Sequence, residues 1–291
     1  MAVSQMEMDR PAIAKARFSS IIGKMERVMD INSLAQDYQR DGYISAVEII
    51  SENEARQHRA ALEDAEAAQG GLHYKAKIHT VMRSPLALAT HPRVLDVVEA
   101  LIGPDILLYD VEYIIKEPHT PSHVSWHQDL TFWGLSDDTQ VSLWLALSPA
   151  TAESGCMRML PGSHVQGMVA HDTTEDADNV LLQGQTVHGV AETGAVMCPL
   201  RPGEASFHHG WTLHASMPNN SDDRRIGLNA QFLAPHVRQT KHDKDTALLV
   251  RGTDKYQHFG TDTPAQADFD PAQLDRWREL NQLHVDTQGT S

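Results

Sequence analysis

His127 and Asp129, a histidine and an aspartate two positions apart, have types and spacing that favour metal chemistry. Side chains two residues apart in a β-strand point to the same face, so both can reach one ion while Gln128 points away. One imidazole and one carboxylate suit iron(II) when a second histidine completes a facial triad. Such a triad leaves coordination positions open for a cosubstrate and dioxygen.

The second histidine has three candidates, because His208, His209 and His214 lie in one downstream segment. We favour His214, since it leads through a Pro-Asn-Asn turn into the strand-like run 225–232. His208 and His209 remain the alternatives. The predicted metal ligands are therefore His127, Asp129 and His214.

The run 225–232 alternates between an apolar face and a polar face, which begins with Arg225. In a barrel or sandwich a polar face of this kind can line a pocket. A guanidinium grips a carboxylate through two parallel hydrogen bonds, so we expect Arg225 to hold the distal carboxylate of a metal-chelating 2-oxoacid. Arg224 points elsewhere and is expected at the surface. Trp144 lies on the corresponding face of another alternating run, 141–147, with room for a ligand beside its indole.

Helix signals come first along the chain and short strand signals follow, which predicts an α+β class with a mainly β core. Helices are expected at residues 34–42, 51–68, 91–102 and from 270 onward. The expected strands are residues 43–50, 106–116, 123–128, 141–148, 157–160, 194–198, 204–208, 214–217 and 225–233.

Three segments are expected in the domain organisation. Residues 1–33 form a partly helical lead, and residues 34–236 form the metal-binding domain. Residues 237–291 form an extension whose terminal helix packs on the same domain. Residues 166–190 lack periodicity and are interpreted as an insertion that borders the site.

Composition excludes several classes of partner. A net charge of −15 (24 basic and 39 acidic residues) disfavours nucleic acid and anionic membranes. Two cysteines are too few for a disulfide framework, and no secretory signal or membrane span is evident, so a cytoplasmic location is expected. The expected partner is a small-molecule substrate, and the expected assembly is a monomer or a homodimer.

In combination, several segments resemble the phytanoyl-CoA dioxygenase family of iron(II)/2-oxoglutarate oxygenases. They are Trp-His-Gln-Asp at 126–129, Ser-Gly-Cys at 154–156, Leu-Pro-Gly-Ser-His at 160–164, Leu-His-Ala-Ser at 213–216, Asn219 and Arg225. Arg225 follows His214 by the family's spacing of eleven residues. The resemblance covers about residues 34–236. It implies a double-stranded β-helix, a cupin-like jelly-roll flanked by helices, with iron(II), 2-oxoglutarate and dioxygen as reaction partners.

The resemblance also implies roles for individual residues. Ser216 would assist Arg225 in holding 2-oxoglutarate, and Trp144, Tyr109 and Lys77 match positions that touch it. His164 is interpreted as a structural residue of its Pro-Gly turn. Related halogenases replace the triad carboxylate with a small residue, so Asp129 favours oxygenation.

The implied activity is dioxygenation, most simply hydroxylation, of a small metabolite or natural-product intermediate, with release of succinate and carbon dioxide. Desaturation, cyclisation and epoxidation are alternative outcomes of the same chemistry. Phe132, Trp133 and Asn229 are candidate substrate-pocket residues. The rival interpretations are a cupin enzyme that does not use 2-oxoglutarate and a cupin-like binding protein without catalysis. Arg225 and Ser216 disfavour the first rival, and the complete triad disfavours the second.

Overall fold

A computed structural model describes residues 30–181 and 184–289 of the chain. The helix expected within the N-terminal lead falls at residues that lie outside the described ones. The helices are α1 (Ile31–Asp41), α2 (Glu52–Gln69), α3 (Arg83–Ala89), α4 (Pro92–Ile102) and α5 (Pro271–Gly289). The strands are β1 (Tyr43–Glu48), β2 (Ile106–Lys116), β3 (Val124–His127), β4 (Gln140–Ala146), β5 (Met157–Met159), β6 (Val196–Cys198), β7 (Glu204–His208), β8 (His214–Ser216), β9 (Arg225–Leu233), β10 (Thr246–Arg251) and β11 (Gly260–Thr261).

The strands form two sheets with non-sequential order. The larger sheet runs β1-β7-β4-β9-β2-β10-β11, and the smaller runs β3-β8-β5-β6. All neighbouring strands are antiparallel except β10 and β11. Trp144 and Ala146 of the larger sheet pack against Met157, Met159 and Cys198 of the smaller one. Two facing antiparallel sheets with these crossovers form a jelly-roll, as expected.

The inner face of the larger sheet is polar, as the alternation in β9 predicted. Ladder partners place Trp144, Asn229 and Glu112 in one row across β4, β9 and β2. The outer face of β9 is fully buried and apolar, since Ile226, Leu228, Ala230 and Phe232 are all inaccessible to solvent. Apolar residues of α4 and α3 cover this side of the sheet. The apolar face thus fixes the register, and the polar face is left to line a cavity.

Local signals start the helices where the sequence predicted. Ser51 caps α2 in a reciprocal capping box with Glu54, as expected. Asp270 accepts a hydrogen bond from the backbone N–H of Ala272 at 3.0 Å, ahead of Pro271 at the start of α5. Helix α5 is tied to the body of the fold by Trp277, whose indole N–H donates to the Ala76 carbonyl at 2.9 Å.

The segment interpreted as an insertion covers the outer face of the smaller sheet. Val169, Val187 and Val190 pack against Trp126 and Leu213. The same segment reaches round to the cavity between the sheets. Within the described residues, no helix has the length and apolar character needed to span a membrane.

Candidate metal centre

Two histidines of neighbouring strands lie side by side at the edge of the smaller sheet. His127 ends β3 and pairs directly with His214, the first residue of β8. Their ring centroids are 4.0 Å apart. Antiparallel pairing therefore brings together two residues that are far apart in the sequence.

Asp129 completes the cluster from a different local structure than the sequence predicted. The expected strand 123–128 ends at His127, and Asp129 opens a short 3₁₀ turn, Asp129–Phe132. Gln128 between them keeps an extended backbone, with φ −125° and ψ 128°. The alternation of side chains therefore continues past the last paired residue, and the prediction of convergence is confirmed although the continuous strand is not.

The geometry of the cluster fits one metal ion. Asp129 Oδ1 lies 3.4 Å from His127 Nε2 and 3.5 Å from His214 Nε2. The three candidate ligand atoms all lie within 4.8 Å of one another. Two imidazoles and one carboxylate on one side of a cavity are the donor set that non-haem iron(II) takes with open positions.

The protonation states also fit metal binding. The Nδ1 atom of each histidine faces a backbone carbonyl. His127 Nδ1 lies 2.9 Å from the Ser125 carbonyl oxygen, and His214 Nδ1 lies 3.0 Å from the Thr212 carbonyl oxygen. This arrangement fixes each tautomer with its Nε2 lone pair directed at the site. Burial, and then His127, lower the pKa of His214 well below its usual value. Burial alone would raise the pKa of Asp129, but the histidines around it hold the pKa well below its usual range. A neutral imidazole and an ionised carboxylate are the states that a metal requires.

The second oxygen of Asp129 is held by residues outside the three-residue cluster. Asp129 Oδ2 accepts a hydrogen bond from Ser142 Oγ at 2.8 Å and lies 3.0 Å from His208 Nε2. His208, an alternative ligand in the sequence analysis, therefore orients the carboxylate. His209 packs beside Tyr38 and accepts from the backbone of Trp211, away from the cluster.

Replacing His208 with leucine is expected to lower iron(II) affinity about 10–100-fold, because partners of a ligating carboxylate contribute on that scale. The adjacent His209→Leu variant is the matched control and should retain the parent's affinity within about twofold. Calorimetric titration with iron(II) under anaerobic conditions measures both. Equal affinity in the His208→Leu variant and the parent would show that the contact to Asp129 is incidental.

A cavity with an empty volume of about 1150 Å³ opens beside the cluster. It is lined by residues from both sheets, from the insertion and from α5. The lining residues include Glu112, Phe132, Trp133, Trp144, Val180, Leu181, Ser216, Arg225, Asn229, His284 and Gln288. A concave, largely apolar space with a few polar groups beside a metal cluster is typical of a small-molecule site.

Arg225 is a buried cation without a carboxylate partner among residues 30–181 and 184–289. Its side chain is 1% exposed, and one N–H donates to the Gly155 carbonyl at 3.1 Å. The buried Nε–H has no hydrogen-bond partner in the described part of the chain. Burial lowers the pKa of Arg225 to about 10. A buried guanidinium is costly unless an anion pairs with it, so this position favours an anionic ligand.

Lys116 stands next to Arg225 and organises the same end of the cavity. The two residues are ladder partners in β2 and β9. Lys116 Nζ donates to Ser216 Oγ at 2.7 Å and to the Met217 carbonyl at 2.5 Å. Burial, and then Arg225, lower the pKa of Lys116 to about 6. Ser216, expected to assist Arg225, thus lines the cavity with its hydroxyl held by Lys116.

Trp144 lies over the strand between Arg225 and Asn229, and this position requires a glycine beneath it. The Arg225 guanidinium is 4.8 Å from the centroid of the indole. A Cβ on Gly227 would lie 2.0 Å from Trp144 Cζ2, far inside van der Waals contact. The absence of a side chain at Gly227 therefore allows the indole to lie flat beside the guanidinium.

A Gly227→Ala substitution is expected to displace the indole, lower the free energy of unfolding by about 1–3 kcal/mol and weaken 2-oxoacid binding. Gly71→Ala is the control, because a Cβ there meets nothing within 4 Å. Urea denaturation measures stability, and the KM for 2-oxoglutarate reports on the pocket. A Gly227→Ala protein that behaved like Gly71→Ala in both measurements would contradict this account of the indole's position.

Two residues carried over from the resemblance lie elsewhere. Lys77 Nζ donates to the carbonyls of Tyr109 and Thr246 and to Asp262, and the Tyr109 hydroxyl donates to Asp245 at 2.6 Å. Neither Lys77 nor Tyr109 is among the residues that line the cavity. Their polar groups bind other parts of the fold, so they are not candidates for contact with a cosubstrate. Phe132, Trp133 and Asn229 do line the cavity.

Sequence reasoning overlooked the contributions of β2 and α5. Glu112 of β2 and His284, Val285 and Gln288 of α5 line the cavity. One signal was present, because Asp110 and Glu112 interrupt the otherwise apolar start of β2. The amphipathic pattern of α5 predicts that the helix packs on the body, but it does not indicate which surface the helix covers.

Comparison with known proteins places the chain among oxygenases. The profile of the family described as "Phytanoyl-CoA dioxygenase (PhyH)" matches residues 38–227. A relative from Stutzerimonas stutzeri, named "Probable alpha-ketoglutarate-dependent hypophosphite dioxygenase", is 27% identical over 57% of this chain and 60% of its own length. The chain spans about half the length of the curated relatives it matches.

Solved structures show the same fold. The non-heme monooxygenase ThoJ in its apo form is 30% identical, with a TM-score of 0.77 over 88% of this chain and 98% of its own. CytC3 with Fe(II) and alpha-ketoglutarate superposes with a TM-score of 0.62 over 82% of this chain and 94% of its own. Its 22% identity makes that likeness one of fold.

Proposed function

Since this chain belongs to the phytanoyl-CoA dioxygenase family, we propose that it is an iron(II)- and 2-oxoglutarate-dependent dioxygenase that hydroxylates a small molecule. The observation that carries the proposal is the pairing of two sites in one cavity. One is the His127, Asp129 and His214 cluster, and the other is the buried Arg225 without a carboxylate partner. A metal site alone suits many reactions, whereas a metal site with a buried anion clamp suits a chelating diacid.

The chain's own residues have distinct tasks in this proposal. His127, Asp129 and His214 would hold iron(II), and Ser142 and His208 would keep Asp129 in its orientation. When bound, iron(II) supplies the activation of dioxygen that is coupled to decarboxylation of 2-oxoglutarate to succinate and carbon dioxide. The protein positions the reactants and excludes water from the site.

The cosubstrate is proposed to span from the metal to Arg225. Its distal carboxylate would accept two hydrogen bonds from the guanidinium, including one from the Nε–H that has no partner in the described chain. Ser216 Oγ, fixed by Lys116, offers a third polar contact. The Trp144 indole would line the carbon chain, because it lies along the same face of the sheet.

The substrate is proposed to bind on the remaining walls of the cavity. Phe132 and Trp133 follow the metal ligand Asp129, and Val180 and Leu181 come from the insertion. Gln128, beside the metal ligands, connects this region to the insertion. Its side chain donates to the Gly167 carbonyl and accepts from the Val169 N–H. Apolar walls around the open coordination positions favour a small organic metabolite or natural-product intermediate.

The domain organisation and location are also proposals. Residues 34–236 would form the oxygenase domain, and residues 237–291 an extension whose helix α5 closes one side of the cavity. The proposed location is the cytoplasm, because both cysteines are free thiols. We propose that it acts as a monomer or homodimer on a small molecule.

Succinate release tests the proposal. The protein should convert 2-oxoglutarate to succinate slowly without substrate, and only when iron(II) and dioxygen are both supplied. A metabolite screen by succinate release would then identify substrates, and the product mass would distinguish hydroxylation from desaturation, cyclisation or epoxidation. Succinate formation that persisted without iron, or none under any condition, would contradict the proposal.

A further inference from the structure

The cavity contains a buried carboxyl group, that of Glu112, for which the proposed reaction has no task. Glu112 is 7% exposed and lies on β2, opposite Asn229 of β9. Asn229 Nδ2 donates to Glu112 Oε1 at 3.3 Å, which is the single hydrogen bond that this side chain receives within the described chain. Neither the proposed metal site nor the proposed carboxylate site at Arg225 uses Glu112. The carboxyl group is therefore available to a ligand.

The described residues around Glu112 provide no ion-pair partner for its carboxyl group. In the described ranges, no lysine, arginine or histidine forms an ion pair with it. Among the described residues that line the cavity there is one arginine and no lysine. That arginine is Arg225, which is proposed to bind the cosubstrate carboxylate. His284 lies beside Asp110 instead, with 3.7 Å between its Nε2 and Asp110 Oδ2.

Neighbouring acids add to the negative potential at this position. Asp110 precedes Glu112 by two residues on the same strand, and burial followed by Asp110 raises the pKa of Glu112 well above its usual value. A buried carboxyl group that lacks a cation is unfavourable as a carboxylate. A ligand that brings its own cation removes this penalty and gains a charge-assisted hydrogen bond.

We propose that Glu112 binds a protonated nitrogen of the substrate, which makes small molecules with a basic amine the substrate class. The inference rests on the proposed function for the reaction, but it concerns a different part of the cavity. The ammonium group would donate to the carboxylate of Glu112, while Asn229 holds Oε1. The apolar walls at Phe132, Trp133 and Leu181 would enclose the carbon skeleton.

The matched probes are cyclohexylmethylamine and cyclohexylmethanol, which have nearly the same shape and differ in charge. Ligand-observed NMR titration of the full chain, with and without iron(II) and 2-oxoglutarate under anaerobic conditions, measures both affinities. The parent should bind the amine at least about tenfold more tightly than the alcohol, since charge-assisted hydrogen bonds contribute about 1.5–3 kcal/mol. A parent that binds the amine no better, or binds neither probe, overturns the inference.

The Glu112→Gln variant keeps the size of the side chain and its contact with Asn229. It should bind amine and alcohol within about twofold of each other, because the ion pair is lost. Glu279→Gln is the control, since it removes the same charge from an exposed position on α5 and should keep the parent's preference. If Glu112→Gln retains the amine preference, the inference is wrong.

A second readout distinguishes failure of this inference from failure of the proposed function. Glu112→Gln should keep the visible band that iron(II) and 2-oxoglutarate produce together, because neither site uses Glu112. Loss of that band would assign Glu112 to the cosubstrate and overturn the inference. A parent without the band would refute the proposed function, while the amine preference of the metal-free chain would still decide the role of Glu112.

Discussion

An Asp129→Ala variant is expected to lose iron-dependent conversion of 2-oxoglutarate by more than about 100-fold, since even residues that only orient a metal ligand contribute about 10–100-fold in metal affinity. Asp129 Oδ1 faces both histidine Nε2 atoms at 3.4 and 3.5 Å. Its removal leaves a two-histidine site, which binds iron(II) weakly and with less control of geometry. Iron(II) affinity and succinate release should fall together.

Controls separate loss of the ligand from damage to the fold. Asp129→Asn keeps the size of the side chain and its contacts with Ser142 and His208, yet a neutral amide is a poor ligand, so its activity should fall nearly as far. Asp222→Ala removes a fully exposed aspartate and should behave like the parent. Thermal denaturation checks that each variant is folded. Parent-like succinate release by a folded Asp129→Ala protein would remove Asp129 from the metal site.

An Arg225→Met variant is expected to raise the KM for 2-oxoglutarate at least about 30-fold, because losing one partner of a buried charge pair costs about 2–5 kcal/mol. The same substitution should leave the free energy of unfolding unchanged or increase it. Arg225 has no protein carboxylate among the described residues, and its buried Nε–H is unsatisfied when no ligand is bound. An apolar side chain of similar volume removes that penalty. A higher KM for 2-oxoglutarate together with an equal or greater free energy of unfolding would show that Arg225 serves ligand binding and does not stabilise the fold.

The adjacent arginine provides a matched control. Arg224 forms ion pairs with the partly buried Glu66 at 2.8 Å and with the exposed Glu117 at 2.9 Å, outside the lining of the cavity. Arg224→Met should therefore leave the KM within about twofold, and it should lower the free energy of unfolding, because the pair with Glu66 is partly buried. Substrate-saturation kinetics and urea denaturation measure both quantities. An unchanged KM in Arg225→Met would show that the cosubstrate carboxylate binds elsewhere.

The sequence predicted most of the strands that build the site, because apolar and polar residue types alternate along β9 and β4 and turn residues bound the short runs. The bounds of β2, β7 and β9 agree with the expected strands. The polar face of β9 faces the cavity, as alternation indicated, and Arg224 lies at the surface. Helix α3 and strands β10 and β11 were not predicted, since they are short and their patterns are set by neighbours that a local window does not contain.

The ligand set was predictable from the sequence, whereas its supporting contacts were not. Choosing His214 over His208 required the position of the following strand, and the structure places His214 beside His127 as its antiparallel partner. The contact of His208 with Asp129 depends on β7 lying beside β4, which no local signal gives. A resemblance can also assign a role that the fold does not support. Lys77 matches a position that touches the cosubstrate in the family, yet it is not among the residues that line the cavity here.

Visible spectroscopy of the anaerobic protein tests the central claim most directly. Addition of iron(II) and 2-oxoglutarate together should produce a weak charge-transfer band at about 500 nm, as expected for a 2-oxoacid chelated to an iron site with open positions. Neither component should produce it alone, and Asp129→Ala should lack it. If the folded parent gave no band at saturating concentrations of both, the His127, Asp129 and His214 cluster would not be a 2-oxoglutarate-binding iron centre.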